Sequence, residues 1–125
     1  MKENALIIGA GLGLSASLAR LLTQNNFNVA IAARNIEKLD DLKAETNSEV
    51  FRCDASNIEE VKNLFTQSDK LLGQPDLVIY NPSARVRGGI TEVDPAETQK
   101  AINITCFGAF LCAQQAAQRM LKLGK

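Results

Sequence analysis

The clearest chemical signal in this 125-residue chain is Ile7-Ile8-Gly9-Ala10-Gly11-Leu12-Gly13-Leu14-Ser15. Three glycines sit between a short apolar run and the start of a helical pattern. Glycine reaches backbone angles that a β-carbon forbids. A backbone without side chains can close on a diphosphate. The free N–H groups of a helix start, backed by the helix dipole, then hold the anion. The residues assigned to this cradle are Gly9, Gly11, Leu12, Gly13, Leu14 and Ser15. The strict G-x-G-x-x-G spacing fails, because Leu14 occupies its last place. The G-x-x-x-G-x-G spacing is met at Gly9 and Gly13 but ends on Ser15. Glycines also serve merely to bend a chain, so context decides. Here the turn closes the first strand of a β-α series, as a dinucleotide fingerprint requires.

Arg34 is the second candidate. An acid at the end of the second strand binds the ribose 2′-OH of NAD, whereas an arginine nearby accepts the 2′-phosphate of NADP. The stretch Ala30-Ile31-Ala32-Ala33-Arg34-Asn35 holds no acid. Arg34 offers a planar, permanently charged fork, with Asn35 as a second contact. The expected cofactor is therefore NADP(H) in preference to NAD(H). The competing reading of Arg34 is a solvated charge at a strand end.

Alternating elements must position these groups. Ala5–Ile8, Val29–Ala33, Val50–Cys53 and Leu77–Tyr80 read as short buried strands. Leu14, Leu18, Leu21 and Leu22 fall at helical spacing. Asn35 is placed to cap a helix carrying Ile36, Leu39 and Leu42. Ser56 and Glu59 read as a capping box before Ile58, Val61, Leu64 and Phe65. A loop runs from Asn81 to about Val93. Asp94-Pro95-Ala96-Glu97 is a strong helix start. One helix is expected from there to about Leu123, with Ile102, Cys106, Phe110, Ala113, Ala117 and Leu121 on its apolar face. The order β-α-β-α-β-α-β-α predicts an α/β fold: a Rossmann-type, doubly wound parallel sheet in a single domain over residues 1–125.

Composition narrows the function classes. Hydrophobic residues make up 46% and charged residues 22%, enough for a packed core. Fourteen basic and fourteen acidic residues cancel, and no basic stripe points to nucleic acid or a membrane surface. The first apolar run is too short for a signal-peptide core or a membrane span, so a cytoplasmic protein is expected. There is no histidine, and Cys53, Cys106 and Cys112 lack C-x-x-C spacing, so no metal site is expected. Each cysteine reads as a small buried hydrophobe. Asn103-Ile104-Thr105 is a formal glycosylation sequon, accidental within a helix.

Five segments in order resemble the short-chain dehydrogenases/reductases. Gly9 to Ser15 resembles the family's TGxxxGxG turn, and Arg34-Asn35, with Lys38-Leu39 following, the end of its second strand. Cys53-Asp54-Ala55-Ser56 resembles its D-x-S/T segment; the likeness implies that the Asp54 carboxylate and the Ala55 N–H contact adenine. Asn81-Pro82-Ser83-Ala84 resembles its N-A-G segment beside the nicotinamide ribose, stiffened by Pro82. Phe107-Gly108-Ala109-Phe110-Leu111 resembles its long interface helix. Counting back three residues from Gly108 places Thr105 where the family commonly has an asparagine; Asn103 falls on a different face. Ser15 replaces the usual third glycine.

The same resemblance implies hydride transfer between NADP(H) and a carbonyl or alcohol substrate of unknown identity. Family catalysis uses a tyrosine with a lysine four residues on and a preceding serine. Tyr80 is the chain's only tyrosine, and four residues on stands Ala84. The domain is thus expected to be incomplete at its C-terminus, inactive alone, and prone to homo-oligomerise. Two alternatives stand beside it. A non-catalytic dinucleotide-binding or sensor module would use the same turn. A methyltransferase also has a glycine-rich first turn but wants an acid after strand two, where Ala33-Arg34 stands.

Overall fold

The computed structural model describes residues 2–124. Met1 and Lys125, included in the expected domain, lie outside the described residues. Four strands, β1 (Glu3–Ile8), β2 (Phe27–Ala33), β3 (Glu49–Arg52) and β4 (Leu77–Tyr80), form one sheet of order β3-β2-β1-β4. Every pairing is parallel. The connecting helices are α1 (Leu14–Gln24), α2 (Asp40–Thr46, preceded by a 3-10 turn Glu37–Leu39) and α3 (Ile58–Leu71). After β4 come α4 (Pro95–Ile102), a π-helical turn (Asn103–Phe107) and α5 (Gly108–Lys122). The expected doubly wound sheet is what forms.

Strand side chains alternate between two cores, because successive residues point to opposite faces. Leu6, Ile8, Ala30 and Ala32 pack with Val61, Leu64 and Phe65 of α3 and Leu111, Cys112 and Ala116 of α5. Ile7, Val29 and Ile31 pack on the other side with Ala16 and Ala19 of α1 and with Leu39 and Leu42. Burial on both faces explains why β1 and β2 read as unbroken apolar runs, whereas β3 and β4, expected to be buried, are half-buried or exposed at the sheet edges.

Several local expectations shift. Leu14 and Leu21 of α1 are exposed, and the small residues Ser15, Ala16 and Ala19 face the sheet instead. Small side chains let a helix lie close to a strand layer. Asn35 does not cap a helix; its side chain accepts from the Glu37 amide, and Ile36 precedes the 3-10 turn. The α3 cap is Asn57, which accepts from Glu60 N–H at 3.0 Å. Ser56 is unavailable, since its hydroxyl donates to Asp54 Oδ1 at 2.7 Å. Asp94 caps α4 as expected, accepting from Glu97 N–H.

The last helix departs most. The π turn interrupts it, and the expected apolar face is the wrong one. Ile102, Cys106, Phe110, Ala113, Ala117 and Leu121 are all exposed. Gly108, Leu111, Cys112 and Ala116 are buried instead. This helix carries two apolar stripes, and periodicity alone does not say which one meets the sheet. Cys106 is therefore an exposed thiol, unlike Cys53 and Cys112.

Gly108 sets how closely α5 approaches. A β-carbon there would lie 2.2 Å from the Tyr80 hydroxyl and 2.8 Å from the Ala55 carbonyl oxygen. Alanine normally gains about 1 kcal/mol over glycine inside a helix. Here overpacking of about 1–3 kcal/mol outweighs that gain. Gly108→Ala is expected to lower the urea unfolding midpoint; an unchanged or raised midpoint contradicts this packing.

Candidate functional site

A cavity of about 280 Å³ opens at the C-terminal ends of the strands. It lies where β2 and β4 diverge on either side of β1, the switch point at which open α/β sheets take ligands. Its floor is the glycine turn. Gly9 has φ +87°, and both Gly9 and Ala10 amides donate to the Ala32 carbonyl at 2.9 Å. Gly11 also lines the cavity. A β-carbon at Gly11 or Gly13 would meet open space, unlike one at Gly9. Gly13 begins α1 without a side-chain cap, and no acid stands in the helix's first turn. An uncapped helix start beside an open backbone fits an anion such as a diphosphate.

Ser15, the departure from the glycine pattern, is buried and bonded on both sides. Its hydroxyl donates to the Gly9 carbonyl at 3.1 Å and accepts from Asn81 Nδ2 at 2.9 Å. The Asn81 amide in turn donates to the Ile8 carbonyl at 2.8 Å. Asn81 thus ties the glycine turn to the end of β4. This answers how α1 tolerates a β-carbon at position 15: the side chain points into the junction between the two segments.

Arg34 and Asn35 line the same cavity, as do Asp54, Ala55, Asn81, Pro82 and Ser83. Arg34 forms no ion pair among the described residues. Asp54 Oδ1 accepts from the Ser56 amide and hydroxyl, which orients the carboxylate. Its other oxygen has no partner among the described residues.

Not every expected site residue reaches the cavity. Leu12, Gly13, Leu14, Ser15 and Ala84 do not line it, and Leu12 and Leu14 point to solvent. Thr105 does not line it either. Thr105 is exposed on the π turn, and its hydroxyl donates to the Ala101 carbonyl at 2.7 Å. The neighbouring Ile104 faces the cavity instead. Arg85 and Arg87 lie outside it as exposed loop charges. Lys38, Cys53 and Ile104 line the cavity without having been singled out as site residues. For Lys38 the signal was present: a second cation four residues after Arg34.

Tyr80 serves the fold. Its hydroxyl donates to the Ile104 carbonyl on the π turn. Burial first, and then the neighbouring Cys112, Cys53 and Asp54, push its ionisation up to about 12. Burial likewise pushes the Cys53 and Cys112 thiols up to about 12, so neither is a ready nucleophile. Among the described residues, no group of three or more His, Cys, Asp or Glu side chains could hold a metal. No helix there is long and apolar enough to cross a membrane. A second cavity, lined by Lys2, Asn28, Thr46 and Glu49 among others, opens at the opposite end of the strands.

Residues 3–125 match the short chain dehydrogenase family. The chain belongs to that family. It is 29% identical to dehydrogenase/reductase SDR family member 11 of Gallus gallus, over 93% of this chain and 48% of the relative. It is 25% identical to sorbitol-6-phosphate 2-dehydrogenase of Escherichia coli, over 99% of this chain and 51% of the relative. The chain spans about half the length of the curated relatives it matches. Among solved structures, an actinorhodin polyketide ketoreductase with NADPH superposes with a TM-score of 0.94 at 23% identity, over 99% of this chain and half of that one. ElxO with NADP bound superposes with a TM-score of 0.88 at 26% identity, over 98% of this chain and 52% of that one.

The raised thiols predict a reactivity pattern. At pH 8 a thiol near 12 is ionised in roughly one molecule in ten thousand. An aromatic disulfide reagent should therefore modify one thiol per native chain, Cys106, and three after denaturation. Rapid modification of two or three native thiols contradicts the packing. The sign for stability follows from linkage. Unfolded thiols and tyrosine ionise at ordinary values of 9.0 and 10.0, whereas the folded groups resist until about 12. Stability should be intact below pH 9 and fall as pH rises from there toward 12.

Proposed function

We propose that this chain binds NADP(H) in the switch-point cavity and supplies the coenzyme-binding part of a short-chain dehydrogenase/reductase. One observation carries the reading: the cavity joins the glycine turn and an unpaired Arg34 at the end of β2, where no acid stands. When bound, the nicotinamide would supply or accept hydride opposite a carbonyl or alcohol. The chain's own residues hold and orient the dinucleotide. Gly11 and the start of α1 hold the diphosphate, and the helix dipole favours its charge. The Arg34 fork takes the 2′-phosphate, with Asn35 beside it. Asp54 and the Ala55 amide address the adenine edge, while Asn81, Pro82 and Ser83 border the nicotinamide ribose. Leu12, Gly13, Leu14 and Ser15 shape the turn, and Ala84 follows Ser83 in the segment after β4. Thr105 stays a peripheral candidate on the π turn. The NADP held by ElxO, at 26% identity, supports the same class of ligand.

No tyrosine with a lysine four residues on occurs in these 125 residues. The chain alone is therefore expected to bind dinucleotide without reducing a carbonyl. NADPH-dependent reduction by the purified chain contradicts that. A reducing cytoplasmic setting suits the three free cysteines.

A second copy of this chain is the proposed cover for the exposed stripe on α4 and α5. Phe107 and Phe110 stack there at 6.2 Å, and Phe110 is 54% and Leu121 76% exposed. Sedimentation should show association that Phe110→Glu weakens; a sharp monomer at high concentration sinks the idea.

The cofactor preference is tested by titrating NADPH and NADH into the parent and Arg34→Ala. A charge-assisted hydrogen bond contributes about 1.5–3 kcal/mol. Arg34→Ala should then weaken NADPH roughly tenfold or more and leave NADH nearly unchanged. An unaltered ratio contradicts the assignment.

A further inference from the structure

The backbone amide of Asp54 has no strand to bond to. Successive N–H groups of an extended segment point to opposite sides. The Cys53 amide, just past β3, points toward β2 and donates to the Ala33 carbonyl at 3.0 Å. The Asp54 amide therefore points to the other side of β3, where no strand pairs among the described residues. Glu60 of α3 supplies the acceptor instead: the Asp54 N–H donates to its carboxylate Oε1 at 3.1 Å.

Helix capping does not account for this bond. Glu60 is the third residue of α3, and in a capping box its carboxylate would take the amide of the cap residue, Asn57. The Asn57 amide already donates to the Asp54 carbonyl at 3.0 Å. Glu60 reaches three residues further back, to Asp54. Its own amide donates to Asn57 Oδ1 at 3.0 Å, so the side chain starts from a fixed turn. It forms no ion pair among the described residues.

The Asp54 segment is thus tied at its N–H by Glu60, at its C=O by Asn57 and at Oδ1 by Ser56. Oδ2 and the adjacent Ala55 N–H have no partner among the described residues, and both residues line the cavity. One acceptor beside one donor complements adenine, whose N6 amino group donates and whose N1 accepts. Hypoxanthine reverses both groups: its O6 accepts and its N1–H donates. Resting on the dinucleotide reading above, we infer that Glu60 is a positioning residue for base selection. It does not line the cavity; it acts through the Asp54 amide, holding the acceptor and donor in register for adenine.

The test titrates NADPH, and its analogue with hypoxanthine in place of adenine, into the full chain and into Glu60→Ala, Glu60→Gln and Asp54→Ala. The two ligands carry the same phosphates, so the change in charge at position 60 cancels in their ratio. Glu60 is exposed, so its variants are expected to fold, and unfolding midpoints check this. The parent should favour NADPH. Glu60→Ala should shrink that preference about threefold to tenfold, the range of one hydrogen bond. Glu60→Gln keeps an oxygen acceptor and should restore most of it. A merely structural role would lower the midpoint or weaken both ligands equally, so a Glu60→Ala ratio equal to the parent's overturns the inference. If Asp54→Ala still loses the preference in that case, Asp54 reads the base without Glu60. A parent that binds both ligands equally overturns the inference and the adenine contact of Asp54 while dinucleotide binding stands. A parent that binds neither overturns the dinucleotide reading as well.

Discussion

Gly9 has no room for a β-carbon, and the site depends on that. Such an atom would lie 2.4 Å from the Pro82 nitrogen and 2.6 Å from the Asn81 carbonyl carbon. Its φ of +87° is also one that other residues rarely adopt. Through this contact the turn after β1 packs directly against the loop after β4. Ser15 and Asn81 secure the same junction by hydrogen bonds on its other side. With the two segments fixed together, the cavity mouth lies between the turn, the end of β2 and the segment after β3. A larger residue at position 9 would push the Asn81 loop away and open the crevice that the parallel sheet otherwise shapes.

A parallel sheet aims every strand's C-terminal end at one rim, so residues far apart in sequence converge there. Arg34, Asp54 and Asn81 each follow a strand by one or two residues, which is why all three reach the same cavity. The second layer of control is helix approach. Small residues on α1 and the bare Gly108 on α5 let both helices lie close to the sheet. Tyr80 then links the end of β4 to the π turn through the Ile104 carbonyl, and Ile104 forms part of the cavity wall. Tyr80 thus ties this part of the wall to the end of β4.

The strands, their order and the residues at their ends were legible in the sequence, because strands buried on both faces leave apolar runs bounded by turns. Gly9, Gly11 and Arg34 were placed at strand ends for that reason, Asp54 and Asn81 came from the family resemblance, and all five line the cavity. What was illegible depended on a choice between near-equal local solutions. Ser56 and Asn57 are both good caps, and the hydrogen bond from Ser56 to Asp54 gave the role to Asn57. The long final helix has two apolar stripes, and the π turn shifts their phase, so Phe110 reads as core yet stands in solvent. Leu14 and Leu21 misled in the same way, since α1 turns its small residues inward. The hydroxyl of Ser15 looked like a flaw in a glycine pattern, and only its partners show it to be a tie.

The most direct measurement is an amide NMR titration of the chain with NADP. The account predicts that the largest shifts fall on Gly11 to Leu14, on Arg34 and Asn35, and on Asp54 and Ala55. Shifts confined to the opposite cavity around Asn28 and Thr46, or no shifts at saturating dinucleotide, would contradict it.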